Sequence, residues 1–69
     1  MEQIKSVTLQ SIDYFSEVLS LKTKIANKHE IQYKIIDFIT DNGNNSFVEL
    51  YNKTFSDNDF GEVLKLLKI

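Results

Sequence analysis

The densest apolar stretch of the chain is Ile31–Ile39, IQYKIIDFI. Ile31, Ile35, Phe38 and Ile39 recur at i, i+4, i+7 and i+8, which is one stripe of an α-helix. Tyr33 and Ile36 add apolar surface to either side of that stripe, so this segment reads as the core element, covered on more than one side. It is preceded by Asn27-Lys28-His29-Glu30. A short polar side chain followed three residues later by Glu is a capping pattern, because the Asn oxygen accepts from exposed amides while the Glu reaches back. The pattern predicts a helix from Lys28 to about Thr40. One continuous helix over 12–40, with Asn27 on its surface, is the alternative; the cap favours two helices.

Upstream, residues 3–26 place Ile4, Val7, Ile12, Phe15, Val18, Leu19, Ile25 and Ala26 at spacings of mostly three, four and seven. These predict one long helix. Its start is less regular, because Val7 and Thr8 are β-branched and Thr8 or Ser11 can cap a later beginning. A short strand at Ser6–Leu9 also stays open.

Downstream, Asp41-Asn42-Gly43-Asn44-Asn45 predicts a loop, in which Gly43 can take positive φ and close the preceding helix. Ser46-Phe47-Val48-Glu49 repeats the capping pattern and predicts a short helix over about 47–54, with Phe47, Leu50 and Tyr51 inward. Ser56-Asp57-Asn58-Asp59 is a third cap-like cluster. It precedes Phe60, Val63, Leu64 and Leu67, again at i, i+3, i+4 and i+7. Asp57, Asp59 and Glu62 at the start of this helix, and Lys65 and Lys68 at its end, complement the helix dipole. Gly61 is unfavourable inside a helix. Close approach of another helix backbone is the expected reason for it. Together these signals predict an all-α fold: a small bundle of three to four helices in one domain, residues 1–69. Residues 3–26 are expected antiparallel to 28–40, with two short helices closing the core.

Composition narrows the chemistry. A chain of 69 residues makes one domain with a small core. It has no cysteine and one histidine, so neither a disulfide nor a thiolate or multi-histidine metal site can form within it. Good helix packing or self-association is left as the stabiliser, and a homodimer is expected. The absence of cysteine fits a reducing cytoplasm. The start, MEQIKSVTLQ, has no apolar leader region, and no run approaches membrane-spanning length. The expectation is a soluble, cytoplasmic protein without membrane attachment. Its many lysines, asparagines and isoleucines suit an AT-rich coding bias.

No catalytic constellation emerges. His29 is the chain's one histidine, the residue type most often used as a general base, yet its neighbour Glu30 points elsewhere on a helix. Tyr33, one turn on, is the residue that can stack on it. A surface histidine in the first turn of a helix accounts for it, since a base needs a partner and a pocket. Read as a calcium loop from Asp57, the sequence puts Gly61 at position 5, Glu62 at position 6 and Lys68 at position 12, which fails the ligand pattern. Asp41–Ser46 has a single glycine and no following lysine, so it is a turn and not a phosphate cradle. No cofactor is implied.

Two surfaces remain. Lys22, Lys24 and Lys28 form the most basic stretch, in a chain of net charge −2 whose residues 1–34 carry +1 and residues 35–69 carry −3. A phosphate-facing patch is the nucleic-acid alternative. It is weakened by the complete absence of arginine, the usual bidentate reader of phosphate and guanine. A solvated helix face explains the lysines more simply. The second surface is apolar. Tyr14 and Phe15 are adjacent and cannot both face one core, and Leu9, Leu21 and Leu66 also lie off their helices' main stripes. A wide stripe in a compact bundle is one account of them. The other is a partner-binding surface formed by Leu9, Tyr14, Leu21 and Leu66.

The segment Phe47–Phe60, FVELYNKTFSDNDF, resembles a stretch of a family of short exported bacterial proteins of unknown function. That family shows a Tyr, a Phe a few residues on, then Ser or Thr and acidic residues opening another helix. It usually continues to an aromatic pair followed by Pro and Gly, whereas here the sequence runs to Leu66-Leu67-Lys68-Ile69. The resemblance implies neither a reaction nor a ligand. The reading that follows is a non-enzymatic protein–protein interaction module, a small regulator or inhibitor acting through apolar helix faces.

Overall fold

The computed structural model describes residues 6–24, 27–57 and 60–69. Four helices follow one another: α1 (Leu9–Thr23), α2 (Lys28–Asn42), α3 (Asn44–Asp57) and α4 (Phe60–Leu66). No strand occurs among the described residues, Ser6–Thr8 included. The all-α bundle expected from the periodicity is therefore what the chain forms. Ile4, Ile25, Ala26, Asn58 and Asp59, on which parts of the helix and capping predictions rested, lie outside the described residues.

The helix ends follow local chemistry. The first helix begins at Leu9 and not at residue 3, because Thr8 caps it: the Thr8 side-chain oxygen accepts from the Ser11 amide at 3.0 Å. Asn27 caps α2 and accepts from the amides of His29 at 2.9 Å and Glu30 at 3.3 Å. That cap, and the left-handed Lys24 that ends α1, exclude one continuous helix over 12–40.

The loop expected at Asp41–Asn45 shrinks to one residue. Gly43 has φ 88° and ψ 168°, a region essentially reserved for glycine, and its amide closes α2 on the Ile39 carbonyl at 2.7 Å. Helix α3 then starts at once, at Asn44. Ser46 is consequently not a cap. It lies inside α3, and its hydroxyl donates back to the Asn42 carbonyl at 3.0 Å. The helix predicted over 47–54 is longer at both ends, Asn44–Asp57.

The fourth helix ends in a Schellman closure. The Ile69 amide donates to the Leu64 carbonyl at 3.0 Å and the Lys68 amide to the Lys65 carbonyl at 3.1 Å, with Lys68 at φ 59°. The close approach expected at Gly61 does not occur: a Cβ built there meets nothing within 4 Å, and the residue is exposed.

The core is formed by Ile12, Phe15 and Leu19 of α1, Ile31 and Ile35 of α2, Phe47, Leu50 and Tyr51 of α3, Val63 of α4, and Leu67 just beyond it. Phe15 is its hub. Its ring meets Phe47 edge-on (5.3 Å between centroids, 89°) and Tyr51 at a tilt (5.4 Å). On α3, Phe47, Tyr51 and Phe55 recur every four residues and present one aromatic row to α1. Two buried polar side chains, Ser16 and Thr54, satisfy themselves by donating to the carbonyls of Asp13 and Leu50 in their own helices.

Ion pairs fix two joints. Lys28 meets Asp13 at 3.1 Å, which holds the first residue of α2 beside the first half of α1. Lys53 meets Glu62 at 2.6 Å and ties α3 to α4. The radius of gyration is 10.6 Å, against about 11 Å for a folded domain of this length, so the four helices form a single packed body.

Candidate functional site

Helix α1 buries the stripe Ile12, Phe15, Ser16 and Leu19. At 3.6 residues per turn, Tyr14 and Leu21 are two turns apart on the same side, and that side faces away from the buried stripe. Leu21 is 73% exposed and Tyr14 50%. Leu9 is 75% exposed, but it sits roughly a third of a turn round the helix from Leu21. The structure thus groups Tyr14 with Leu21 and leaves Leu9 on the flank. Tyr14 is also partly used inside the molecule, because its ring stacks on Phe55 at 6.2 Å with the planes 8° apart.

Leu66 belongs to a different surface. It is 47% exposed at the end of α4. With Phe38 it lies in the wall shared by two open clefts between α2, α3 and the end of the chain. The larger, about 470 Å³, is lined by Lys34, Asp37, Phe38, Asp41, Asn42 and the segment Leu66–Lys68. The smaller, about 220 Å³, adds Ser46, Glu49, Leu50 and Lys53. Phe38 and Leu66 make an apolar saddle, and charged side chains stand on both sides of it. The sequence signal for this groove was only that Leu66 is off-stripe; that Phe38 stays partly open depends on how α2, α3 and the end of the chain are placed, which periodicity does not encode.

The charges around the groove are not equally available. Lys34 donates to the Lys68 carbonyl at 3.3 Å, and Lys53 is held by Glu62. Asp37, Asp41 and Glu49 are exposed and are in no ion pair among the described residues. Lys68 is likewise exposed and in no ion pair among the described residues, and Lys34 is held only by a neutral carbonyl, so the groove carries charges of both signs.

At the lysine stretch, Lys22 and Lys24 are exposed and in no ion pair among the described residues, while Lys28 is engaged by Asp13. His29 is exposed at the capped start of α2. Among the described residues no group of three or more His, Cys, Asp or Glu could hold a metal ion. Sequence reasoning missed one exposed aromatic. Tyr33 was expected to add to the covered flank of α2, yet it is 70% exposed. It lies two residues from both Ile31 and Ile35, which is the far side of their stripe.

No helix among the described residues is long and apolar enough to cross a membrane. Comparison of the chain with protein-family models, with curated proteins and with solved structures finds no match.

Proposed function

We propose that this protein is a non-enzymatic interaction module, a small cytoplasmic regulator or inhibitor that binds a protein partner through apolar helix faces. The observation that carries the reading is the placement of Leu21 and Tyr14 on one outward side of α1, with Leu21 73% exposed. Burying a leucine side chain is worth about 1.5–3 kcal/mol, and this one lies on a regular helix with no core to join. The chemistry around it supports binding over catalysis, since His29 stands in the open at a helix start and faces no cleft described above.

A nucleic-acid role would rest on Lys22 and Lys24, with Lys28 already paired to Asp13. Two free lysines supply too few phosphate contacts to hold a nucleic acid at physiological salt. The test of the leading reading is Leu21→Lys. It should leave the circular dichroism and the melting temperature unchanged while abolishing partner binding. A folded Leu21→Lys protein that binds its partner as the wild type does would remove this assignment.

A further inference from the structure

Asn42–Gly43 is the pair of residues in this chain most open to reaction with itself. Asparagine is among the thermolabile residues, and Asn42 alone of the asparagines is followed by glycine. With no Cβ on the next residue, little hinders the following backbone nitrogen from reaching the side-chain carbonyl carbon. Both residues are exposed, and a Cβ built on Gly43 meets nothing within 4 Å, so water has access to the joint. What restrains the pair is hydrogen bonding at the end of α2. The Gly43 amide donates to the Ile39 carbonyl at 2.7 Å, which keeps its nitrogen protonated and in place. The Asn42 side-chain nitrogen donates to the Phe38 carbonyl at 3.1 Å. The Ser46 hydroxyl, from the start of α3, donates to the Asn42 carbonyl at 3.0 Å. Asn42 itself lies in α2, and a helical ψ holds the Gly43 nitrogen away from the Asn42 side chain.

We propose that Asn42–Gly43 is a site of spontaneous modification, held shut by the last turn of α2 and open whenever that turn frays. When the contacts to Ile39 and Phe38 part, hydroxide takes the Gly43 amide proton. The nitrogen attacks Cγ of Asn42. The N–Cγ bond forms, the Cγ–Nδ2 bond breaks, and Nδ2 leaves as ammonia with a proton gained from solvent. Water, the one co-reactant, then opens the cyclic imide. Cleavage of the new N–Cγ bond leaves aspartate at position 42. Cleavage on the backbone side leaves isoaspartate, with the chain running through the side-chain carbon. Neither product rebuilds the joint. An aspartate carboxylate has no proton to donate to the Phe38 carbonyl, and it adds negative charge beside Asp41 at the negative end of α2. Isoaspartate adds a backbone atom to a joint that is only Gly43 long, between α2 and α3. That joint sets the start of α3, from which Phe47 packs edge-on against Phe15. A transient opening is thereby recorded as a lasting loosening of α2 from α3, whatever α1 binds.

The experiment incubates the protein at mildly alkaline pH, folded in buffer and unfolded in urea, and follows aspartyl and isoaspartyl formation at each asparagine by peptide mass spectrometry. In the unfolded chain Asn42 should convert ahead of the other asparagines. In the folded protein it should convert about ten to a hundred times more slowly, a protection that corresponds to a local opening of about 1.4–2.8 kcal/mol. Native-state hydrogen exchange reads the same opening, because both reactions need the Gly43 amide released from Ile39. Protection against conversion should match that of the Gly43 amide and fall below that of the amide of Ile35, which is buried in the core. The converted protein, once separated, should melt below the wild type, as should Asn42→Asp. Equal rates in the folded and unfolded chain would overturn the gate, and so would protection that follows Ile35 instead of Gly43. An unfolded chain in which Asn42 converts no faster than the other asparagines would overturn the site. A converted protein that melts like the wild type would overturn its effect on the joint.

Discussion

The ring of Tyr14 lies nearly parallel to that of Phe55, 8° between planes and 6.2 Å between centroids, although half of Tyr14 is open to solvent. Its neighbour Phe15 is completely buried against Phe47 and Tyr51. Two adjacent aromatics therefore do different work: Phe15 holds the core, and Tyr14 closes the end of the α3 aromatic row while offering its outer side. Tyr14→Ala should cost about 1 kcal/mol through the lost ring pair, a fall in melting temperature of roughly 4–8 °C. Leu21→Lys, with nothing beneath it, should change stability by less than about 0.5 kcal/mol. Thermal melts of the two variants separate fold from surface.

Phe15→Ala removes the hub that α1 offers to α3. Truncating a buried phenylalanine costs about 3–5 kcal/mol, and a 69-residue domain holds only about 0.05–0.15 kcal/mol per residue. The variant should lose a large part of its urea midpoint, and be largely unfolded at 25 °C where the wild type lies at the lower end of that range. A midpoint within about 1 M of wild type would mean that the packing around Phe15 is not what holds α1 to α3.

The two glycines should respond in opposite directions. At Gly61 an added Cβ meets nothing, so Gly61→Ala should stabilise by about 0.5–1 kcal/mol through the restricted unfolded chain. Gly43 sits at φ 88°, and Gly43→Ala should destabilise by about 1–3 kcal/mol by forcing the α2–α3 joint into a region alanine avoids. Urea denaturation of both variants checks the pair.

Lys24 ends α1 at φ 60°, a conformation that costs a non-glycine residue roughly 1 kcal/mol. Lys24→Gly should therefore raise the urea midpoint. A midpoint at or below that of the wild type would mean that the left-handed residue 24 is not where α1 ends in solution.

Much of the architecture was legible because it is local. Caps at Thr8 and Asn27, the glycine at position 43 and the i, i+4 stripes of α1 and α2 are each decided within a few residues. Ser46 misled for the same reason: its capping pattern is genuine locally, but Gly43 alone completes the turn and lets α3 begin three residues earlier. Gly61 was read as a packing device, whereas it is simply an exposed glycine. Leu9, Tyr14, Leu21 and Leu66 could be recognised as off-stripe from spacing alone. Which of them share a surface could not, because the ring contact between Tyr14 and Phe55 and the Phe38–Leu66 saddle depend on how separate helices cross. Nor could spacing show that Asp13 engages Lys28 and leaves Lys22 and Lys24 free.

The central claim is that the outward side of α1, with Leu21 and Tyr14, binds a protein partner. The most direct measurement is a mass-spectrometric comparison of the proteins retained from a lysate of the native host by the wild type and by folded Leu21→Lys. The wild type should retain a protein that Leu21→Lys does not. Equal retention by the two would contradict the account.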